Sequence, residues 1–195
     1  MITLHLSPVL TLTDEVFWQL CQSNPEARLE RSSKGDLILM APVSSEGSSF
    51  NAGIVAQLWL WNQQTGAGVV FDSSAGFTLP NGAIRSPDAA WIPKARWEAL
   101  TPAEKRRFAP LCPDFVMELA SPNDRLSDLQ AKMREYLDNG CQLGWLIVPE
   151  AGEVEIYRPQ CPPEVLPRPA CLSGDPVLPG FCLDLSGLFA ATSPQ

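Results

Sequence analysis

The chain has 195 residues, of which 45% are hydrophobic and 18% are charged, and its formal net charge is -8. This length allows one domain to bury a substantial core without disulfides or a structural metal. The acidic excess counts against tight, non-specific nucleic-acid binding, which needs a basic surface, but not against a small local site.

The first third of the chain predicts a short helix, a β-hairpin and a longer buried helix. The predicted elements are a helix capped by Thr13, strands over 27–30 and 36–40, and a helix over 51–62 that ends at Gly66 and Gly68. The hairpin turns at Ser33-Lys34-Gly35.

The rest of the chain alternates strands with helices. We predict strands over 69–72, 87–92, 115–119, 143–148 and 153–157, short helical stretches over 95–100 and 102–107, and a helix over 126–139. The segment 159–169 is proline-rich and predicted to be irregular, and 178–185 predicts an edge strand with a turn. This order indicates an α/β fold with a mixed sheet flanked by helices and an N-terminal β-hairpin extension. We expect a single domain over 1–195, with 159–195 packed on it as a proline-rich extension.

Glu118 is the one charged residue in the apolar segment Phe115-Val-Met-Glu-Leu-Ala120, a pattern typical of a central strand that is covered on both faces. An ionised carboxylate in such a strand needs a cation, a hydrogen-bond network or a proton. From this residue alone two hypotheses stay open: a functional acid, or a buried ion pair with a nearby Arg or Lys.

Asp88 follows Pro87 at the start of the apolar segment Ala89-Ala-Trp-Ile92. Taken alone, it is typical of an aspartate that caps a turn. Carboxylates at the ends of adjacent strands can converge, however, and Mg²⁺ takes one or two carboxylates with waters and substrate phosphate. The pair Asp88 and Glu118 therefore predicts a Mg²⁺ or Mn²⁺ site.

Lys132 lies on the helix after the Glu118 strand, at the border of the apolar stripe that contains Met133 and Tyr136. A border lysine commonly covers the core with its stem and keeps its ammonium in water. The functional alternative places that ammonium at the metal site, where it would polarise the attacking water or offset charge on a pentavalent phosphorane. Tyr136, on the same face, could orient it.

Three further acids give weaker signals. Glu46 precedes the predicted 51–62 helix and could add an acid from the helix side, although a loop glutamate is usually solvated. Glu30 and Asp72 stand at strand ends, and their pattern does not require them to face the same cleft.

Several chemistries fit the sequence poorly. His5 is the single histidine, so a Ser-His-Asp triad is disfavoured. Neither a phosphate-binding Gly-x-x-x-x-Gly-Lys loop nor a Gly-x-Gly-x-x-Gly dinucleotide motif occurs. The six cysteines lack Cys-x-x-Cys spacing, which disfavours a zinc site, and we expect them to be reduced and mostly buried.

The sequence also predicts where the protein acts and whether it self-associates. The first residues lack a basic start and a long apolar stretch, and no segment reaches the ~20 apolar residues of a membrane span. We therefore expect a cytoplasmic protein without membrane contact. Exposed tryptophans and the proline-rich tail would suit a homodimer.

Taken together, the motifs resemble the Uma-two family, whose members are nuclease candidates with the restriction-endonuclease-like fold of the PD-(D/E)xK superfamily. The resemblance covers about residues 12–188, and its motifs are Ser86-Pro-Asp88, Asp114-Phe-Val-Met-Glu118, Lys132-Met-Arg-Glu-Tyr136, Gly144-Trp-Leu-Ile-Val-Pro149 and Val154-Glu-Ile-Tyr-Arg158.

The resemblance implies a restriction-endonuclease-like core with Asp88 and Glu118 as metal ligands. The superfamily's lysine normally stands two residues after the second acid, where this chain has Ala120, and the resemblance implies that Lys132 replaces it. Glu46 matches a helix-borne acid of such folds, but the histidine that often follows is absent.

These observations predict a Mg²⁺- or Mn²⁺-dependent endonuclease that hydrolyses DNA phosphodiester bonds, with Asp88, Glu118 and Lys132 in the catalytic site. An alternative is a non-catalytic interaction module that retains the nuclease fold. A third hypothesis is that Glu118 and Lys132 form only a structural ion pair.

Overall fold

The computed structural model describes residues 2–190. In chain order, its strands are β1 (Ile2–Leu4), β2 (Leu29–Arg31), β3 (Leu37–Leu39), β4 (Gly68–Asp72), β5 (Phe77–Thr78), β6 (Ile84–Arg85), β7 (Ala89–Pro93), β8 (Phe115–Leu119), β9 (Leu143–Val148), β10 (Glu153–Tyr157), β11 (Glu164–Pro167), β12 (Cys171–Ser173) and β13 (Cys182–Asp184). Its helices are α1 (Asp14–Ser23), α2 (Ser45–Thr65), α3 (Lys94–Glu98), α4 (Pro102–Lys105), α5 (Leu126–Asp138) and α6 (Ser186–Ala190).

The central element is a six-stranded sheet in the order β11-β10-β9-β8-β7-β4. Strands β8 and β9 pair in parallel, whereas the other neighbours pair antiparallel, so the sheet is mixed. The predicted hairpin β2–β3 belongs to a second sheet in the order β1-β3-β2-β6-β5. The α/β class predicted from the sequence is confirmed.

The six-stranded sheet separates two apolar clusters. On one face, α2 packs with β12, β13 and α6 through residues that include Leu58, Trp61, Trp145 and Phe181. On the other face, α5 packs through Met133 and Tyr136 onto residues that include Val116 and Leu146. Because side chains alternate along a strand, β8 sends Met117 towards α2 and its neighbours Val116 and Glu118 towards α5.

Helix α2 begins six residues before the start predicted at Asn51. Ser44 caps it by accepting a hydrogen bond from the Gly47 N–H at 3.1 Å, and Gly66 ends it in the left-handed conformation with φ of 60°. The first turn has a Ser-Glu-Gly-Ser sequence, which shows no apolar periodicity. Glu46 therefore lies inside the first helical turn and not in a preceding loop.

One prediction for the C-terminal segment is wrong and another is confirmed. Residues 159–169 are not irregular throughout, because residues 164–167 form β11. This strand pairs antiparallel with β10, so that Pro167 lies opposite Glu153 and Glu164 lies opposite Ile156. The predicted edge strand over 178–185 is β13, and it pairs with β12 in a separate two-stranded sheet. The predicted extent 1–195 includes residues outside 2–190, and the single-domain assignment stays a prediction.

The expectation of reduced, mostly buried cysteines is also wrong. Cys171 and Cys182 form a disulfide, with their Cα atoms 6.0 Å apart. The β12–β13 register places them on adjacent strands at diagonal positions, which is within reach of a disulfide. Cys161 is exposed, while Cys112 and Cys141 are buried thiols. None of the helices within residues 2–190 combines the length and apolar character needed to cross a membrane.

Candidate active site

Glu118 lies on β8 between β7 and β9 and is 3% exposed. Its Oε1 atom accepts a hydrogen bond from the Tyr136 hydroxyl at 3.0 Å and lies 2.8 Å from Lys132 Nζ. Among the described residues, no hydrogen bond or ion pair involves Glu118 Oε2. One carboxylate oxygen is thus fixed by two donors, and the other remains available to a ligand.

The surroundings of Glu118 disfavour its charge. Burial raises the pKa of Glu118 to about 7. Lys132 opposes this rise only in part, and the nearby carboxylates of Asp88 and Glu30 raise the pKa further. Glu118 therefore holds a proton more tightly than an exposed glutamate does. A cation placed between Glu118 and Asp88 would compete with that proton.

Lys132 lies on α5 and is buried, with its ammonium turned into the protein and not towards solvent. Its Nζ atom lies 2.8 Å from Glu118 Oε1 and 2.9 Å from Glu30 Oε1. Burial alone would lower the pKa of Lys132, but the two carboxylates outweigh burial and raise it above its usual value. Lys132 is therefore a permanent cation at neutral pH and cannot serve as a base there.

Asp88 directly precedes β7, although the predicted strand over 87–92 included it. Its Oδ2 atom accepts a hydrogen bond from the Leu119 N–H at 2.9 Å, which ties it to the end of β8. Its Oδ1 atom lies 3.8 Å from Arg28 Nη2. Burial raises the pKa of Asp88, against the opposing effects of the Leu119 N–H and Lys132.

A cleft of 640 Å³ opens where the start of α2 meets the end of β8. Asp88, Arg28 and Ala120 line it, while Glu118 and Lys132 lie behind this lining. Glu46 also lines the cleft, but it is exposed and no contact joins it to Asp88 or Glu118. The structure thus gathers Asp88, Glu118, Lys132 and Tyr136, and it leaves Glu46 apart from them.

Two further residues belong to this group: Glu30, which gives only a weak signal in the sequence, and Arg85, which gives none. Glu30 is 1% exposed and contacts both Lys132 and Arg85, the latter through Arg85 Nη1 at 3.0 Å. Arg85 Nε also contacts Glu135 Oε2 at 2.6 Å. The predicted hairpin held a signal, since a turn centred on Lys34 pairs Glu30 with Ile38 and so directs Glu30 to a buried face.

The donor atoms suit a hard divalent cation with few protein ligands. Among the described residues, Glu118 Oε2 has no hydrogen bond or ion pair and Asp88 Oδ1 has only the long contact with Arg28 at 3.8 Å, and carboxylate oxygens are preferred ligands of Mg²⁺ and Mn²⁺. Within residues 2–190, no three His, Cys, Asp or Glu side chains converge as a group that could hold a metal. Two carboxylates and several waters would therefore form the shell, as Mg²⁺ often uses.

Comparison with known proteins gives a consistent result. The Uma2 (Uma-two) family model, described as "Putative restriction endonuclease", matches residues 14–186. A crystal structure from Anabaena variabilis, titled as a putative nuclease belonging to DUF820, aligns with a TM-score of 0.71 at 22% identity and covers 86% of this chain and 93% of that chain. The alignment confirms the restriction-endonuclease-like fold. No curated protein matches the chain.

Proposed function

The chain belongs to the Uma2 family, and on that basis we propose that it is a Mg²⁺- or Mn²⁺-dependent endonuclease that hydrolyses DNA phosphodiester bonds. One observation carries the proposal: a buried lysine contacts a carboxylate whose second oxygen has no hydrogen bond or ion pair among residues 2–190, beside a second carboxylate that lines a cleft. Buried charges in this arrangement are costly, and such costs concentrate at functional sites.

Asp88 and Glu118 would hold the metal through the oxygens that their other contacts leave available. A metal bound there would supply Lewis-acid polarisation of the phosphate and a more acidic water. The Leu119 N–H and the Tyr136 hydroxyl each fix the opposite oxygen of the carboxylate that they contact. This fixes the direction in which each ligand oxygen points.

Lys132 would supply a positive charge that does not depend on pH near neutrality. Because both of its carboxylate partners hold it as an ammonium, it would stabilise negative charge that develops on the phosphoryl oxygens. Its burial removes competing water and strengthens this effect. Arg28, which lines the cleft beside Asp88, is placed to meet a neighbouring phosphate of the strand.

The charge balance supports a substrate that arrives with a divalent cation. Asp88, Glu46 and Glu150 give the cleft lining three acids against the single base Arg28. A polyanion would be repelled by this lining unless cations offset it, so we expect weak binding of DNA without metal.

The test is cleavage of supercoiled plasmid with Mg²⁺, with Mn²⁺ and with a chelator. Wild type should cleave only with metal, and Asp88→Asn, Glu118→Gln and Lys132→Met should each lose activity by at least about a hundredfold. Glu153→Gln, an exposed position on β10, is the matched control and should retain full activity. Equal activity, or equal inactivity, of all these proteins would sink the proposal.

A non-catalytic interaction module is the second candidate, because Glu118 and Lys132 pair with each other behind the cleft lining. Thermal unfolding with millimolar Mg²⁺ separates the two candidates, since a ligand that binds only the folded state raises Tm. If the protein is a nuclease, Mg²⁺ should raise the Tm of wild type and leave the Tm of Asp88→Asn unchanged. The interaction module expects no shift in either protein.

A further inference from the structure

Glu30 stands outside the six-stranded sheet, on β2 of the second sheet, yet its side chain reaches the candidate active site. Its Oε1 atom accepts a hydrogen bond from the Ser86 N–H at 2.9 Å and contacts Lys132 Nζ at 2.9 Å. Its Oε2 atom contacts Arg85 Nη1 at 3.0 Å. Both oxygens of this carboxylate are therefore engaged, through three contacts in all.

The two carboxylates that contact Lys132 differ in how firmly they are held. Glu30 has both oxygens engaged by three donors, whereas Glu118 has one engaged oxygen and one without a partner among the described residues. Burial alone would raise the pKa of Glu30, but Lys132 and Arg85 overcome burial and lower it.

Arg85 contacts the second oxygen of Glu30 and is itself held by another acid. Its guanidinium is held from the opposite side by Glu135, through an Arg85 Nε to Glu135 Oε2 contact of 2.6 Å. The guanidinium is planar and its donors have fixed directions, so its two single contacts set the positions of Glu30 and Glu135 relative to each other. A chain of fixed contacts therefore runs from Glu135 on α5 through Arg85 to Glu30 and on to Lys132.

We propose that Glu30 is the positioning residue that holds the Lys132 ammonium at the active site, and that Glu118 is free to serve another ligand. The proposal rests on the proposed function of the site. If Glu118 binds a divalent cation, the attraction between Lys132 and Glu118 weakens and the cation repels the Lys132 ammonium. Glu30 is then the carboxylate that keeps the ammonium within the protein.

The first measurement needs neither metal nor DNA. In ¹⁵N-lysine-labelled, chelator-treated protein at pH 7, a buried ammonium held by fixed acceptors gives a slowly exchanging Nζ signal, assigned by its absence in Lys132→Met. This signal should persist in Glu118→Gln, where Glu30 remains, and disappear in Glu30→Gln, where only Glu118 remains. Equal persistence in both variants, or the reverse pattern, would overturn the proposal.

Glu153→Gln is the matched control, because it removes an exposed carboxylate on β10 that lies outside the chain of contacts from Glu135 to Lys132. It should leave the Lys132 signal in place. Should Glu30→Gln fail to fold, Glu30→Asp replaces it: the charge remains, but the side chain is one methylene too short to reach Lys132, and the signal should again be lost.

The second measurement is DNA cleavage. Glu30→Gln should lower kcat by about tenfold or more with KM changed less than about threefold, and it should add nothing in a Lys132→Met background. An additive loss would mark Glu30 as merely structural and overturn the proposal. If wild type cleaves and Glu30→Gln matches it, the positioning role fails while the nuclease proposal stands. If wild type does not cleave but the ammonium signal follows Glu30, the nuclease proposal fails and the anchoring of Lys132 stands.

Discussion

Replacing Glu118 by Gln should stabilise the metal-free protein at high pH. The amide keeps the shape of the side chain, and its oxygen can still accept the hydrogen bond from Tyr136 and lie beside Lys132 Nζ, as Glu118 Oε1 does. The substitution removes only the charge, and that charge is what the site disfavours. A stability gain upon loss of a residue is typical of residues retained for function.

The magnitude follows from the pKa of Glu118, which is about 7 in the folded protein against a usual value of 4.5. Below pH 4.5 the carboxyl is protonated in both states, so it costs nothing. Between pH 4.5 and 7 the folded state keeps a proton that the unfolded state releases, so the free energy of unfolding falls as the pH rises. Since each pKa unit corresponds to about 1.4 kcal/mol, the full cost above pH 7 is about 3 kcal/mol.

The assay is urea unfolding of wild type and Glu118→Gln with a chelator present, at several pH values from 4.5 to 8.5. Glu118→Gln should be about 3 kcal/mol more stable at pH 8.5 and equal to wild type at pH 4.5, with an unchanged m-value. Glu30 does not contribute to the stability difference between the two proteins. Its pKa is lowered, so its own effect on stability changes with pH only below about pH 4.5, and both proteins contain it. Exposed Glu153→Gln should stay within about 0.5 kcal/mol of wild type throughout. If Glu118→Gln were less stable than wild type at pH 8.5, Glu118 would be a structural partner of Lys132 and the reasoning would be refuted.

Three further changes should alter stability in predictable directions. Lys132→Met leaves two buried carboxylates without their shared cation and should cost about 3–5 kcal/mol in urea unfolding at pH 8.5; a cost under about 1 kcal/mol would contradict the ion-pair geometry. Tyr136→Phe removes a donor to the ionised carboxylate and should cost about 1–3 kcal/mol at pH 8.5 and less at pH 5, and no difference between the two pH values would argue against its contact with Glu118. The double variant Cys171→Ser/Cys182→Ser removes a disulfide that closes a loop with a sequence separation of 11, and it should be about 3 kcal/mol less stable than wild type under non-reducing conditions. Dithiothreitol should destabilise wild type and leave the double variant unchanged, and a wild type that is equally insensitive would show that the disulfide does not form.

Part of this site could be predicted from the sequence because its signals are local. Glu118 interrupts an apolar strand, and Lys132 and Tyr136 share one helical face, so burial of the first and proximity of the other two follow from periodicity. Asp88 was placed inside its strand but lies one residue before it, a boundary shift that does not move it from the cleft.

Other features could not be predicted, because local patterns in the sequence do not specify them. Glu30 reaches Lys132 only because the second sheet packs beside the six-stranded one, and nothing in the strand Leu29–Arg31 specifies that docking. The same limit explains the disulfide, since the β12–β13 register decides whether Cys171 and Cys182 approach. The early start of α2 was missed because its polar first turn shows only capping chemistry and no apolar periodicity.

The central claim is that Asp88 and Glu118 bind one divalent metal, and direct titration with Mn²⁺ tests it without the need to find a DNA substrate. Electron paramagnetic resonance of free Mn²⁺ would be followed as wild type, Asp88→Asn and Glu118→Gln are added at pH 8. We expect one Mn²⁺ site in wild type and an affinity for Mn²⁺ at least about tenfold weaker in each variant. Even the loss of a residue that only contacts a metal ligand typically weakens metal affinity by about tenfold or more. Equal Mn²⁺ affinity in the three proteins would contradict the central claim.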